Sequence, residues 1–353
     1  MSRFLVTGGA GYIGSHTAKL LARSGHEIVV YDNLSRGHRD LVRWGPLIEA
    51  DLRDTNLLRE ALRWFKPDAV IHFAAFAYVG ESVSRPEIYY DNNVNGTLSL
   101  LRAMTEAGSS NLIVSSTCAT YGQPSRMPIT EETPQVPLNP YGQSKLMMEL
   151  MCADFAVAHG LHYMALRYFN ACGCDPEGET GERHDPEPHL IPRALMAADG
   201  EIDRLDIFGG DYPTPDGTCV RDYIHVSDLA SAHLAAALHL MNGGASGALN
   251  LGTGHGISVR EIIDATERVT GKAVPHKIAP RRAGDPAVLV AATAKANAIL
   301  DWKAQHSDID HIIATAWNWR KIEGGKQEGA ADYGSIPHVS RGLEKRRLKM
   351  KEG

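Results

Sequence analysis

A run of glycines between an apolar strand and an amphipathic segment constrains this chain more than any other feature. Phe4-Leu-Val-Thr7 reads as a strand, and Gly9-Ala-Gly11-Tyr-Ile-Gly14 follows it and opens a helix. With Gly8, the same run also satisfies a Gly-x-x-Gly-x-x-Gly pattern. Such glycines permit a tight turn and let a pyrophosphate approach the helix N-terminus. The match gains weight from Asp32, which ends the next β-branched run at the distance expected for a ribose-binding carboxylate. A carboxylate there would repel a 2′-phosphate, so NAD is expected rather than NADP. Arg36 and Arg39 are the nearby residues that argue the other way. Asp51, at the end of a third run, is placed either to contact adenine or to cap its own loop.

The first 170 residues alternate strand-like runs with helical patterns. Strands are predicted over 3–7, 27–31, 47–50, 69–74, 112–116 and 162–168, and helices over 13–24, 55–65, 89–107 and 141–159. This alternation implies right-handed crossovers and a Rossmann-type, doubly wound parallel sheet in the α/β class. After Asn170 the texture changes. Residues 172–190 are rich in Gly, Pro, Asp and Glu and read as a loop. Strands over 204–208 and 249–252 and a helix from 258 to about 269 suggest a smaller, interleaved α/β substrate-binding lobe. The expected organisation is an NAD-binding domain over 1–170, rejoined by segments around 220–252, and a mainly substrate-binding lobe over 171–322. From about Glu323 the apolar pattern fades into a basic tail over 323–353, read as solvated or partly disordered, with a polyanion-binding arm as the alternative.

Composition narrows the function. The chain has 353 residues and a net charge of −6, so no global basic field attracts nucleic acid. No apolar stretch approaches the ~18 residues of a membrane span. The N-terminus runs straight into a strand, and no signal peptide is expected. Five cysteines do not suggest a disulfide framework, and Cys172 and Cys174 lie too close together for ordinary metal-ligand spacing. No metal is expected, and a reducing cytoplasm is the simplest location.

Tyr141 and Lys145 carry the chemistry. Asn139 is a plausible N-cap and Pro140 a plausible first helical residue, which puts Tyr141 in the first turn. Lys145 then shares its face. The ammonium, the helix N-terminus and a nearby nicotinamide cation would all favour a phenolate able to act as a base near neutral pH. Tyr-x-x-x-Lys alone is a weak signal. The surrounding motifs make it a strong one.

Those motifs, Thr7-Gly-Gly-Ala-Gly-Tyr-Ile-Gly-Ser-His16, Val79-Gly-Glu-Ser82, Tyr89-Tyr-Asp-Asn-Asn-Val-Asn-Gly-Thr97, Tyr141-Gly-Gln-Ser-Lys145, Arg167-Tyr-Phe-Asn170 and Val220-Arg-Asp-Tyr-Ile-His225, run in order along the chain. Together they resemble the UDP-glucose 4-epimerases, extended short-chain dehydrogenases/reductases of galactose metabolism. The resemblance covers residues 3 to about 320. It implies a tightly held NAD, a UDP-hexose substrate and a homodimer built on the helices over 89–107 and 141–159.

For the cofactor, the resemblance implies contacts from Gly8, Gly11, Tyr12, Ile13 and Gly14 to the pyrophosphate. Asp32, Asn33, Asp51 and Leu52 would hold the adenosine half. Phe73, Ala74, Ala75, Asn92 and Phe169 would line the cleft, and Lys145 would hold the nicotinamide ribose. For the nucleotide sugar it implies Asn170, His189, Leu190, Phe208, Tyr223 and Asp285, with Arg221 and Arg282 on the diphosphate. Two guanidinium groups make independent sense for a diphosphate, although Arg221 could instead pair with Asp222. Thr117 takes the hydroxyl position beside Tyr141. Leu289 takes a gating position near the hexose C2 substituent, or is an ordinary core leucine.

Some positions depart from the family. Thr117 stands where Ser is familiar, Ala77 where some members have a lysine, and His189 where an amide is usual. Tyr121 belongs to a family turn, with a structural role as reasonable as a substrate contact. The implied reaction is reversible oxidation at C4 through a 4-keto sugar, with Tyr141 as base. A 4,6-dehydratase would need an acid pair beside the threonine, and Cys118 and Ala119 stand there instead. A 4-epimerase of another UDP sugar (N-acetylhexosamine, pentose or uronate) is the closest alternative. A non-catalytic NAD sensor would not need the Tyr/Lys pair.

Overall fold

In the computed structural model, which describes residues 1–328 apart from residue 283, the alternation becomes one seven-stranded parallel sheet. Its strands are β1 (Arg3–Thr7), β2 (Glu27–Asp32), β3 (Leu47–Glu49), β4 (Ala69–His72), β5 (Asn111–Thr117), β6 (His162–Tyr168) and a late strand, Gly247–Leu251. The order across the sheet is the late strand, β6, β5, β4, β1, β2, β3. The order reverses between β1 and β4, so a crevice opens at their carboxyl ends. Asp32 and Thr117 are the last residues of β2 and β5, on that same edge.

Side-chain alternation sorts the core onto two faces. Phe4, Val6, Ile71 and Ile113 pack with Leu21 of the first helix, Tyr12–Arg23, and with Leu229 and Ala236 of helix Val226–Met241. Leu5, Val70 and Leu112 pack on the other face with Leu62, Leu100 and Met148. Helix Val226–Met241 and strand Gly247–Leu251 thus bring the later chain back onto the large sheet. Other late segments form separate clusters. Helices Leu190–Asp199, Val259–Thr270 and Ile309–Glu328 pack around Ile191, Ile262 and Ile312, flanked by short two- and three-stranded sheets.

Two local expectations differ from the structure. The helix expected over 89–107 is divided into Pro86–Tyr89, a wider π turn over Tyr90–Asn95, and Gly96–Ala107. Asn93 on that turn faces inward. Its amide bonds the Phe76 carbonyl and Ser144 Oγ at 3.0 Å each and accepts the Phe76 N–H at 2.8 Å. The final helix passes Glu323 and continues to Glu328. Residues 329–353, with most of the basic tail, lie outside the described residues. The predicted start of helix Pro140–His159 holds: Asn139 accepts the Gly142 N–H at 2.9 Å, and Pro140 is the first helical residue.

Two glycines of the first loop are required by space. Gly8 has φ +72°, and a Cβ there would lie 2.5 Å from the Ala74 nitrogen. A Cβ on Gly14 would lie 2.2 Å from the Gly8 carbonyl oxygen. Neither obstacle is a flexible side chain, so Gly14→Ala should cost about 1–3 kcal/mol and reduce cofactor retention. Urea unfolding and the NAD content of the purified variant measure both effects. Wild-type values for both would show that the loop can yield.

Candidate active site

A cleft of about 450 Å³ lies along the carboxyl edge of the sheet. Gly8, Gly11, Tyr12, Ile13 and Gly14 form its floor, and Asp32, Asn33, Asp51 and Leu52 lie along one side. Phe73, Ala74, Ala75 and Asn92 continue the wall towards Thr117, Tyr141 and Lys145. Phe169, Asn170, His189, Leu190 and Tyr223 border the rest. Every expected cofactor residue therefore faces one cleft.

The Asp32 carboxylate is held at the rim by two backbone N–H groups, from Ala10 at 3.0 Å and Leu34 at 2.8 Å. Burial raises its pKa, against the pull of these bonds. Each oxygen retains a lone pair for a ribose hydroxyl. The two arginines that argued for NADP are engaged elsewhere. Arg36 binds both oxygens of Glu81 at 2.7 and 2.9 Å and lies over the rings of Phe76 and Tyr78. Arg39 pairs with Glu49. Asp51 is placed on the border between cleft and loop. It borders the cleft, but it also accepts the Arg53 N–H at 2.9 Å and the Asn33 amide at 2.9 Å. Hydrogen bonding from Arg53 holds its pKa well below the usual carboxylate range.

The side chains expected to be catalytic, Thr117, Tyr141 and Lys145, sit at the end of β5 and in the first turns of helix Pro140–His159. Burial pushes the Tyr141 phenol up to about 12, while its hydrogen bond with the Thr117 hydroxyl pulls the other way. Lys145 moves in the opposite sense. Burial lowers it to about 7, although the Glu149 charge opposes that shift. Its ammonium donates to the Ser115 carbonyl at 2.8 Å. The lysine thus reaches across to β5.

Five of the expected substrate residues form a neighbouring group outside the cleft's border. Arg221 is paired with Asp285, and the Arg282 guanidinium lies 3.8 Å over the Phe208 ring. Leu289 is paired with Arg221 in a short parallel ladder and packs on the cluster of Tyr121, Ile129 and Phe169. The positive charge of Arg221 nevertheless reaches Cys118 and Tyr223 on the cleft wall, lowering both against the larger effect of burial. The alternative partner, Asp222, is buried and accepts N–H groups from Thr253, Gly254 and Ala291 instead. Tyr121 is 1 % exposed, bonds Asn250 and Arg167, and does not border the cleft.

Sequence reasoning missed a part of the wall, Glu182 and His184. Burial works against the charge on His184 and His189, but Glu182 and Glu187 outweigh it and raise both imidazoles above their ordinary value. The only signal was the alternation of acidic residues and histidines in Glu182-x-His184-x-x-Glu187-x-His189.

With this geometry in hand, the comparison with known families is decisive. Residues 4–252 match the NAD dependent epimerase/dehydratase family. The chain belongs to that family. It is 51 % identical over 326 residues to a UDP-glucose 4-epimerase of Rhizobium meliloti, covering 92 % of this chain and 99 % of that protein. The crystal structure of a Brucella ovis UDP-glucose 4-epimerase in complex with NAD superposes with a TM-score of 0.89 at 57 % identity, covering 90 % of this chain and 98 % of that one. A Bifidobacterium longum UDP-glucose 4-epimerase in complex with NAD+ and UDP gives 0.86 at 40 % identity, covering 92 % and 99 %. This chain is an NAD-dependent epimerase of UDP-sugars. Its residues fit that cofactor: the glycine loop leaves backbone room where a Cβ would collide, and Asp32 presents its carboxylate to the cleft.

Lys145 gives a prediction with a definite sign. Burial brings its pKa down to about 7 in the folded chain, against the 10.5 of a free lysine. Between those values the unfolded chain holds the extra proton, so raising pH through this window stabilises the fold. In cofactor-stripped protein, the melting temperature of wild type relative to Lys145→Met should rise from pH 7 towards pH 10. A pH-independent difference would mean that the buried lysine keeps its proton.

Proposed function

We propose that the protein interconverts UDP-galactose and UDP-glucose through a 4-keto sugar, with Tyr141 as the acid-base residue. The observation that carries this reading is that Tyr141, Lys145 and Thr117 border the same cleft as the glycine loop, at the sheet's carboxyl edge. Bound NAD supplies a two-electron acceptor and, in its oxidised form, a positive charge that favours the phenolate. Tyr141 takes the proton from the C4 hydroxyl as that carbon becomes a ketone. Thr117 hydrogen-bonds the reacting oxygen, and Lys145 holds the nicotinamide ribose. Arg221 and Arg282 anchor the diphosphate while the sugar turns about its phosphate linkage. Tyr141 returns the proton when the opposite face is reduced. Strong anchoring of the nucleotide leaves the sugar free to turn.

Residues 1–170 with 220–252 serve as the cofactor-binding unit in this reading, and most of 171–322 as the substrate lobe. The buried free thiols of Cys152, Cys172, Cys174 and Cys219 suit a reducing cytoplasm. Among the described residues, no helix is long and apolar enough to cross a membrane. A homodimer is supported by helix Pro140–His159, where Leu150 and Val157 are 56 % and 92 % exposed. These two apolar side chains are two turns apart on one face.

Purified protein should carry NAD and convert UDP-galactose to UDP-glucose. Tyr141→Phe should lower kcat by about 10²–10⁴-fold with UDP affinity unchanged, whereas Arg221→Ala should weaken UDP binding by roughly 1.5–3 kcal/mol. Turnover with a product panel and equilibrium UDP binding separate the two effects. Near-normal turnover of Tyr141→Phe would falsify its assignment as the base.

Leu150→Glu combined with Val157→Glu should shift the protein from dimer to monomer in light scattering, with bound NAD retained. A dimer that survives both charges places the interface elsewhere.

A further inference from the structure

The loop from Glu182 to His189 gathers four potential ligands around a buried carboxylate oxygen that lacks a hydrogen-bond partner. His189 Nδ1 lies 2.9 Å from Glu182 Oε1 and 2.8 Å from Glu187 Oε1. His184 Nδ1 lies 3.2 Å from Glu182 Oε1 and 3.4 Å from Glu187 Oε2. One ligand atom from each residue falls within 4.8 Å of all the others. An imidazole Nδ1 carries at most one hydrogen, so His189 cannot serve both carboxylates. It bonds Glu187, whose same oxygen also accepts the His189 N–H at 2.9 Å. Glu182 Oε1 and His184 Nδ1 are left buried without hydrogen-bond geometry to any group. The Glu182 side chain is only 6 % exposed, and an unsatisfied carboxylate oxygen at such a depth is costly.

We propose that Glu182, His184, Glu187 and His189 bind a divalent first-row transition-metal ion, zinc being the best fit. Four-coordinate zinc with bonds of ~2.0–2.1 Å requires its ligands to stand about 3.3 Å apart; with one oxygen taken from each carboxylate, Glu182 Oε1 and Glu187 Oε1, the separations of 2.9, 2.8 and 3.2 Å lie just below that value and need only a small outward shift of the side chains. Two imidazoles with two carboxylates suit zinc and its neighbours better than calcium or magnesium, which take oxygen ligands. The loop is already held in shape. Trp319 donates to the Glu182 carbonyl at 3.1 Å, and the Glu182 N–H meets Cys174 Sγ at 3.4 Å. The His184 ring is set edge-on against Tyr12 and Tyr78. The other acidic group, Asp175, Glu177 and Glu179, closes on the Lys19 ammonium instead. The site lies on the cleft wall beside Tyr12 of the glycine loop, so an ion there would join the substrate lobe's loop to the edge of the cofactor site.

The experiment uses tag-free holoenzyme with NAD bound, treated with chelator and titrated with Co(II), then with zinc in competition. Wild type should take up one ion per chain and develop the intense visible absorption of four-coordinate cobalt, which zinc removes. Glu182→Gln and His184→Gln should each abolish that absorption and weaken binding about tenfold or more. Glu177→Gln, on an exposed side chain of the other acidic group, should leave it intact. Far-UV circular dichroism and NAD content identify a misfolded variant, in which case Glu187→Gln replaces it. Wild type that shows no saturable binding, or binding that persists in the loop variants, overturns the proposal. The readout does not involve turnover, so its result is independent of the roles proposed for Tyr141 and Thr117.

Discussion

The ion pair between Glu149 and Arg167 holds helix Pro140–His159, which carries Tyr141 and Lys145, in register with the sheet. Each side chain is 7 % exposed, with Arg167 Nη2 and Nε donating to Glu149 at 2.6 and 3.0 Å. The same carboxylate accepts Ser116 Oγ and, at 3.2 Å, the Gln135 amide. Arg167 also reaches the Tyr121 hydroxyl at 2.8 Å, which continues to Asn250 on the late strand. Burying two charges costs several kcal/mol, but these oxygens and nitrogens have partners, so what the pair adds is position. Glu149 lies one turn beyond Lys145 and two beyond Tyr141. Ser116 is the residue before Thr117. One buried pair therefore ties together the three side chains on which the proposed chemistry depends.

A second theme is the neutralisation of binding arginines within the protein. Arg36 is occupied by Glu81 and stacked on aromatic rings, which leaves the Asp32 carboxylate as the dominant charge at the adenosine end. Arg221 is occupied by Asp285. A diphosphate that takes Arg221 has to share that guanidinium with the carboxylate or displace it. The arginine is thereby held in place before binding, which reduces the ordering cost of association, while part of its attraction is spent on Asp285. The Tyr141 phenol shows the same logic in reverse. Burial raises its pKa, so in the proposed reaction a positive charge has to favour the phenolate.

Features set by neighbouring residues were legible in the sequence. Strand β1, the glycine loop and the helix after it form a local unit in which each glycine answers a nearby backbone atom. Asn139 and Pro140 announce a helix start because capping involves groups three residues apart. The boundaries that failed were those decided at a distance. The π turn at Tyr90–Asn95 depends on Asn93 reaching Phe76 and Ser144, the latter 51 residues away. Tyr141 and Lys145 were correctly placed on one helix, whereas the burial that shifts both groups and the Ser115 carbonyl that receives the ammonium come from other elements.

The sequence by itself determined the parallel α/β fold, the cofactor loop and the identity of the groups able to move a proton. These follow from periodicity, glycine sterics and side-chain chemistry, which are all local. Only the tertiary structure decided how charges are apportioned. Arg221 faces Asp285 rather than its neighbour Asp222, and Lys145 reaches β5 rather than the phenol. The acidic residues and histidines of the loop over 182–189 converge on one point. Burial and Coulomb interactions depend on separation in space, and folding brings together charges that the chain order keeps apart.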